Sequence, residues 1–315
     1  MKKVLVIGAA KSGIAAARLL KRHGYEVILT DQKEIKEKKE LEKIGITVYD
    51  QGHPEELKNT TYEFVVKNPG IRYNVDIIDY FVRNHMKIYT EIEIAYRYAK
   101  KFHYGAVTGT NGKTTITSML YACLKMNHRA LAAGNIGTPL SEIVLEYEDE
   151  EKDIALELSN FQLLGIECFR PEVSVVCNLA PDHLDYMPTL ESYYASKMRI
   201  AMNQKEDDWF LRNVDDETVM HYAKDIQCEI IDFSLKRRDV DLYVSNGEAF
   251  LRGKHLFYVK DLKVVGEHNV SNAMIAAAMA IKMGVSYEDV EKALKEFKGI
   301  EHRIEYIGEK DGISF

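Results

Sequence analysis

The sequence is short of the features that mark several classes of protein. Its 315 residues hold only four cysteines (Cys123, Cys168, Cys177 and Cys228), with no C-x-x-C pair and no adjacent histidine. That leaves no disulfide framework and predicts reduced, packed thiols in a cytoplasmic protein. Basic charge is not in excess: 42 Lys and Arg stand against 49 Asp and Glu, a net charge of −7. Non-specific nucleic-acid binding therefore lacks its electrostatic footprint. No apolar run approaches the roughly 18 residues of a membrane span. The longest, Ala273–Ile281, reads as a buried helix, so neither nucleic acid nor membrane is expected as a partner. Met1-Lys2-Lys3 and the apolar Val4–Ala10 superficially resemble a secretory signal, but Gly8 begins a turn and Lys11 interrupts the run. A first β-strand is the better reading. Internal repeats and low-complexity segments are missing too.

What remains is ordinary globular composition, 46% hydrophobic and 29% charged, in a chain long enough for two domains. Short apolar strands alternate with helical stretches. Val4–Ile7, Glu26–Thr30, Ile46–Tyr49 and Phe64–Val66 read as strands and Ser12–His23 as a helix. Lys33–Lys43 reads as a solvated helix face, and Asn68-Pro69-Gly70 as a turn. This βαβ rhythm predicts an α/β fold with an open, largely parallel sheet. A boundary is expected near Tyr98–Phe102, and a second α/β unit should run to about Lys298. Its predicted strands include Ile154–Leu158 and Val173–Asn178, and its helices Ser192–Asn203 and Asn269–Met283. At the end, Arg303–Ile307 and Ile313–Phe315 flank a turn-rich stretch, which reads as a hairpin cut short.

Chemistry concentrates in Thr108-Gly109-Thr110-Asn111-Gly112-Lys113-Thr114-Thr115, between the apolar Ala106-Val107 and a helix-like segment, Thr115–Lys125. Glycines let successive N–H groups curl into one concavity, and the helix N-terminus and Lys113 add positive charge. Thr114 is placed to offer its hydroxyl to the magnesium of a triphosphate. The loop departs from G-x-x-x-x-G-K-[ST], because Val107 stands where the first glycine would be. The first strand–turn–helix, Gly8-Ala9-Ala10-Lys11-Ser12-Gly13, resembles a dinucleotide fingerprint, with Asp31 at the end of the next strand. Ala10 replaces the middle glycine and obstructs a pyrophosphate, so another nucleotide or a purely structural turn competes with NAD there.

Glu157 ends an apolar strand, and Asp182-His183 and Asp185 follow another. Ligands in open α/β sheets sit beyond strand carboxyl ends, so these groups can converge with the phosphate loop on magnesium. Taken singly, Glu157 reads equally as a helix cap and His183 as a loop histidine. Lys197 reads by itself as a surface lysine. Asn269 and Asn272 share one helix face, suited to an adenine edge or to N-capping.

Together these motifs carry a resemblance. Thr108–Thr114, Gly134-Asn135-Ile136-Gly137, Leu156-Glu157-Leu158-Ser159, Asp182-His183-Leu184-Asp185, Ser196-Lys197 and Gly266-Glu267-His268-Asn269 look like the Mur ligases, in order along the chain. Glu157–Leu163 and the Lys67–Ile71 turn most resemble the members that join D-glutamate to UDP-N-acetylmuramoyl-L-alanine. Asn160 departs from the commoner Ser, and Thr114 stands where many relatives carry Ser.

The resemblance implies a Rossmann-like UDP-substrate domain at 1–98 and a central ATPase domain at 99–298. It reads 299–315 as a hinge and the start of a third domain cut after Phe315, a form expected to bind substrate but not to ligate. It implies a monomer using ATP and two magnesium ions in peptidoglycan synthesis. ATP converts the substrate carboxylate to an acyl phosphate, which the amine attacks. For ATP it implies Gly109, Thr110, Asn111, Gly112, Lys113, Thr114 and Thr115 at the phosphates, Asn269 and Asn272 at adenine, and Arg303 reaching in from the hinge. For metal it implies Thr114, Glu157, His183 and Lys197, the lysine as a carbamate. For the UDP-substrate it implies Lys11 and Ser12 at the diphosphate and Asp31 at the uracil end. Asn68, Pro69, Gly70 and Ile71 would lie along the nucleotide, and Asn135 would orient the substrate. Another Mur-type or folylpolyglutamate-type ligase, a non-catalytic nucleotide-binding module and an NAD dehydrogenase are the rival readings.

Overall fold

A computed structural model describes residues 2–182 and 187–299, with the backbone of Glu309–Lys310 and Ile313–Ser314. Two compact units emerge, and neither is one continuous stretch. The first comprises Met1–Lys101, Gly137–Glu150 and Asn160–Phe169; the second comprises Phe102–Ile136, Glu151–Ser159 and Arg170–Phe315.

The first unit is built on β1 (Lys3–Ile7), β2 (Glu26–Thr30), β3 (Thr47–Tyr49), β4 (Val65–Lys67) and β5 (Ile88–Tyr89). They form a wholly parallel sheet in the order β3-β2-β1-β4-β5. Val4, Leu5, Val6 and Ile7 are completely buried, as a central parallel strand covered on both faces requires. Helix α1 (Lys11–Arg22) buries Ala15, Ala16, Leu19 and Leu20 and keeps Lys21 and Arg22 at its C-terminal, negative end. The solvated Lys33–Lys43 stretch shortens to α2 (Lys38–Lys43), while α3 (Asp76–Arg83) was not expected. Across α1 and α4 (Glu91–Tyr98) packs α6 (Leu140–Tyr147), from the second segment of this unit. The buried Glu91 carboxylate accepts the Ser141 N–H and so caps the positive end of α6.

The second unit has a nine-stranded mixed sheet. Its parallel part comprises β6 (Phe102–Thr108), β7 (Ala130–Gly134), β8 (Lys152–Glu157), β9 (Val173–Val176), β10 (Trp209–Asn213), β11 (Glu229–Ser234) and β12 (Leu242–Ser245). An antiparallel meander, β13 (Glu248–Leu251) and β14 (Lys254–Tyr258), extends it to the order β14-β13-β12-β11-β10-β9-β6-β8-β7. Helices α5 (Lys113–Leu124) and α10 (Glu267–Lys282) pack against each other, and the Ala-rich face of α10 is buried throughout. Near the end, Glu309–Lys310, in the stretch expected to be turn, pairs antiparallel with Ile313–Ser314, where the hairpin's second strand was expected. The strand expected at Arg303–Ile307 lies outside the described residues.

Candidate active site

In the second unit, β6 runs into the phosphate loop at the carboxyl edge of the sheet. Gly109 has φ +145 and Gly112 φ +86, conformations that L side chains rarely adopt. A Cβ on Gly109 would also stand 3.0 Å from both the Cys177 Cβ and its backbone nitrogen. The loop is clamped from the strand end beside it. Asn178 Oδ1 accepts from Asn111 N at 2.9 Å, its Nδ2 donates to Asn111 O at 3.0 Å, and its own carbonyl takes the Thr110 N–H. Lys113 opens α5, and its Nζ donates to the carbonyls of Gly109 and Thr110. Thr114 and Thr115 complete the first turn of that helix, whose early N–H groups have no partner within the helix.

Glu157 ends β8 in register with Val107, the residue just ahead of the loop. Its carboxylate is 1% exposed; Oε1 accepts from Asn135 Nδ2 at 2.8 Å, and Oε2 has no hydrogen-bond donor among the described residues. A buried anionic oxygen left in that state is costly, which is the condition a cation relieves. Lys197 on α8 (Leu190–Met198) is 2% exposed, contrary to the surface lysine that sequence alone suggests. Its Nζ donates to Gly109 O at 2.9 Å and lies 4.6 Å from the Tyr193 ring centroid. Burial first, and repulsion from Lys113 second, lower its pKa to about 8. Lys113, Lys197 and Glu157 all act electrostatically on the buried Cys177 thiol, whose pKa burial raises to about 12. Loop lysine, helix lysine and strand carboxylate thus share one neighbourhood.

Asn269 and Asn272, both nearly buried, do share a face of α10. Asn272 Nδ2 donates to Asn269 Oδ1, and Asn269 Nδ2 holds the Val265 carbonyl. The helix is N-capped by Gly266 rather than by either side chain. The Asn272 carboxamide oxygen lies 3.1 Å from where a Gly112 Cβ would be, so this pair abuts the phosphate loop. His183 and Arg303 fall outside the described residues.

The first unit carries a cleft of about 560 Å³ at the carboxyl ends of β1, β2 and β4. It lies where the strand order reverses, the usual ligand position in such sheets. Gly8, Ala9, Ala10, Asp31, His53, Asn68, Gly70, Ile71 and Arg72 are among its lining residues. Ser12 accepts from Asn68 Nδ2 at 3.1 Å, whereas Lys11 lines a neighbouring cavity and not this one. Asp31 holds the turn: its Oδ2 accepts from Ala9 N and its Oδ1 from Lys33 N.

Sequence reasoning passed over Lys67 as a support of this site. It is fully buried, and its Nζ donates to the carbonyls of Asn68, Pro69 and Ile71. One ammonium therefore gathers the turn that edges the cleft. Burial lowers its pKa to about 8, below its unfolded value. Between that value and ~10.4 the unfolded chain binds more protons than the folded one, so Lys67 adds stability as pH rises through this window. Relative to Lys67→Met, the parent protein should gain stability between pH 7.5 and 9.5, measured by denaturant unfolding of both. A constant difference would contradict this account.

Among the described residues, Glu93, Glu167 and Cys168 form the one grouping of three close metal-type donors. Glu93 already accepts the amides of Glu167, Cys168 and Phe169 and the Arg97 guanidinium, so it serves as a structural anchor.

A sheet strand ending in a glycine-hinged, lysine-bearing loop, followed by a helix N-terminus, defines an α/β protein of the phosphate-loop class. Residues 107–280 match the Mur ligase middle domain. The UDP-N-acetylmuramoylalanine--D-glutamate ligase of Geobacillus kaustophilus is 40% identical over 319 residues, covering 100% of this chain and 70% of the relative. The ligase of that name from Streptococcus thermophilus is 36% identical, with the same coverage. Among solved structures, the UDP-N-acetylmuramate:L-alanyl-gamma-D-glutamyl-meso-diaminopimelate ligase of Neisseria meningitides shares the fold at a TM-score of 0.65 and 20% identity, covering 95% of this chain and 99% of that one. The UDP-N-acetylmuramate-alanine ligase of Thermotoga maritima gives 0.54 at 24% identity, covering 99% and 72%. The chain belongs to the Mur ligases, ATP-dependent enzymes that form amide bonds in peptidoglycan synthesis.

Proposed function

We propose that the protein joins D-glutamate to the L-alanine carboxylate of UDP-N-acetylmuramoyl-L-alanine, in the cytoplasm and at the expense of ATP. Identity of 36–40% along the whole chain supports this substrate choice over that of other family members. The observation that carries the catalytic half is the buried Oε2 of Glu157 beside the phosphate loop, which has no donor among the described residues. We read residues 1–98 as the UDP-substrate domain, 99–298 as the ATP domain and 299–315 as the hinge.

The donor set fits magnesium, which favours hard oxygen ligands: the Glu157 carboxylate, the Thr114 hydroxyl and, once carbamylated, Lys197. His183 would complete the set. When bound, Mg²⁺-ATP supplies the phosphoryl group that makes the substrate carboxylate an electrophile. The chain's own contribution is positioning and charge neutralisation, which dominate phosphoryl transfer. The loop amides of Gly109 and of Gly112 to Thr115, with the Lys113 ammonium, would hold phosphate oxygens, while Thr110 and Asn111, whose N–H groups go to Asn178, shape the loop. Asn269 and Asn272 would face the adenine, and Arg303 is proposed as a further nucleotide contact. Asn135, fixed by Glu157, orients the substrate. Asp31 and Asn68–Ile71 would receive the UDP moiety, with Ser12 hydrogen-bonded to Asn68 beside it and Lys11 approaching the diphosphate from the neighbouring cavity.

Phosphate release by the full-length protein tests the reading. It should require ATP, UDP-N-acetylmuramoyl-L-alanine and D-glutamate together. Preference for another UDP-peptide or for a folate would transfer the protein to a different ligase. Within that assay Glu157→Gln, which keeps shape and loses charge, should lower turnover about 100-fold and raise the magnesium requirement. Unchanged magnesium dependence would remove Glu157 from the metal.

A further inference from the structure

A loop that receives a triphosphate must turn its peptide carbonyls, the negative ends of their dipoles, away from the anion. From Thr108 to Gly112 every carbonyl has a donor. Thr108 O takes the Cys177 N–H at 2.8 Å, and Gly109 O takes the Lys113 and Lys197 ammonium groups. Thr110 O also takes Lys113 Nζ, and Gly112 O takes the Ile116 N–H of α5. The fifth, Asn111 O, is held by a side chain from outside the loop, Asn178 Nδ2 at 3.0 Å. The same carboxamide accepts the Asn111 N–H at 2.9 Å. One planar group thus grips residue 111 at both ends, and only this orientation sets donor against acceptor at both contacts.

Asn178 can grip because its own backbone is pinned on two sides. Its carbonyl takes the Thr110 N–H, and Ala180 N donates to Thr110 Oγ1 at 3.1 Å. Leu179 N donates to Asp216 Oδ2, whose partner oxygen caps the helix Glu217–Tyr222. We propose that Asn178 is a positioning residue for the ATP step, its carboxamide holding the Asn111 carbonyl out of the phosphate site. The loop is then set before the nucleotide arrives, and the N–H groups at the start of α5 are left for the anion. Preorganisation of this kind reduces what binding must order. The proposal rests on reading the loop as the ATP site and is independent of which amino acid is joined.

Calorimetric titration of the full-length protein with magnesium and the non-hydrolysable β,γ-imido analogue of ATP tests it, beside thermal unfolding without nucleotide. Asn178→Leu is similar in size and makes neither contact, so it should weaken binding about tenfold, the effect of two ordinary hydrogen bonds. Asn178→Asp keeps the acceptor but sets an anionic oxygen against the Asn111 carbonyl. It should weaken binding further, although it is the closer match in shape. Raising salt from about 50 to about 500 mM should narrow the gap between Asn178→Asp and the parent, and leave that of Asn178→Leu unchanged. Should Asn178→Leu fail to fold, the salt dependence of Asn178→Asp decides by itself. Affinities equal to the parent's overturn the proposal. So do losses that follow the melting temperatures, with Asn178→Asp the milder, since Asn178 would then brace the fold alone. A parent that does not bind the analogue overturns the ATP-site reading, and this proposal with it.

Discussion

Lys197→Ala is expected to lower ligation by two to three orders of magnitude, the usual consequence of removing one fixed electrostatic group. Acetate or formate should restore part of the loss. The reason is a conflict within the site. An ammonium beside Lys113 would meet like charge on both sides once magnesium bound, yet the side chain is buried and fastened to Gly109 O. Addition of CO₂ removes the conflict: the neutral amine's lone pair attacks carbon, one proton leaves to solvent, and an anionic carbamate remains. With a pKa near 8, roughly a tenth of Lys197 is neutral at pH 7, against well under a thousandth for an ordinary lysine. Bicarbonate should therefore raise the activity of CO₂-depleted enzyme, and ¹³CO₂ should give a carbamate signal that Lys197→Ala lacks. Full activity in Lys197→Ala, or a loss that no short acid repairs, would dismiss the carbamate.

The second large effect is structural. Gly13→Ala should destabilise the first unit by about 3 kcal/mol, the upper end of overpacking costs, and abolish UDP binding. A Cβ there would lie 1.9 Å from the Gly8 carbonyl oxygen, and that atom is backbone, so no rotamer change relieves the clash. The turn can only open, separating Ala9 from Asp31 and Ser12 from Asn68. Thermal unfolding together with UDP titration measures both consequences; a parent-like melting temperature would mean that the β1–α1 turn yields more easily than its geometry implies.

The contrast between these two residues marks how much of the protein its sequence discloses. Gly13 was legible because strand–glycine turn–helix is a local pattern, as was the phosphate loop. The strands β1, β2 and β9 were legible because buried parallel strands are continuous apolar runs. Lys197 was not, since its burial depends on a loop 88 residues away. Lys67 and His53 were hidden because a lysine at a strand end and a single histidine look solvated until Lys67 folds back onto the carbonyls of its own turn and a hydroxyl from another strand meets His53. The meander β12–β14 escaped because its residues alternate and are partly exposed, so no apolar run announces it. Asn178 was read only as a strand's last residue, although it clamps Asn111 on both sides of the peptide.

The division of the chain into interleaved segments bears on how the protein is made. Helix α6 supplies the cover for α1, and the Thr90 hydroxyl donates to the Gln162 carbonyl, so the first unit is incomplete without residues far downstream. During synthesis the first sheet is exported early but cannot be closed until residue 169 has left the ribosome, by which time β6, the phosphate loop and β8 are already outside. The apolar flank of α1 is exposed for that whole interval, a period of aggregation risk for a nascent chain. The same threading means that no single cut releases the first unit whole. A protease nick after Lys101 would leave the pieces associated, because the first unit draws on chain from both sides of the cut.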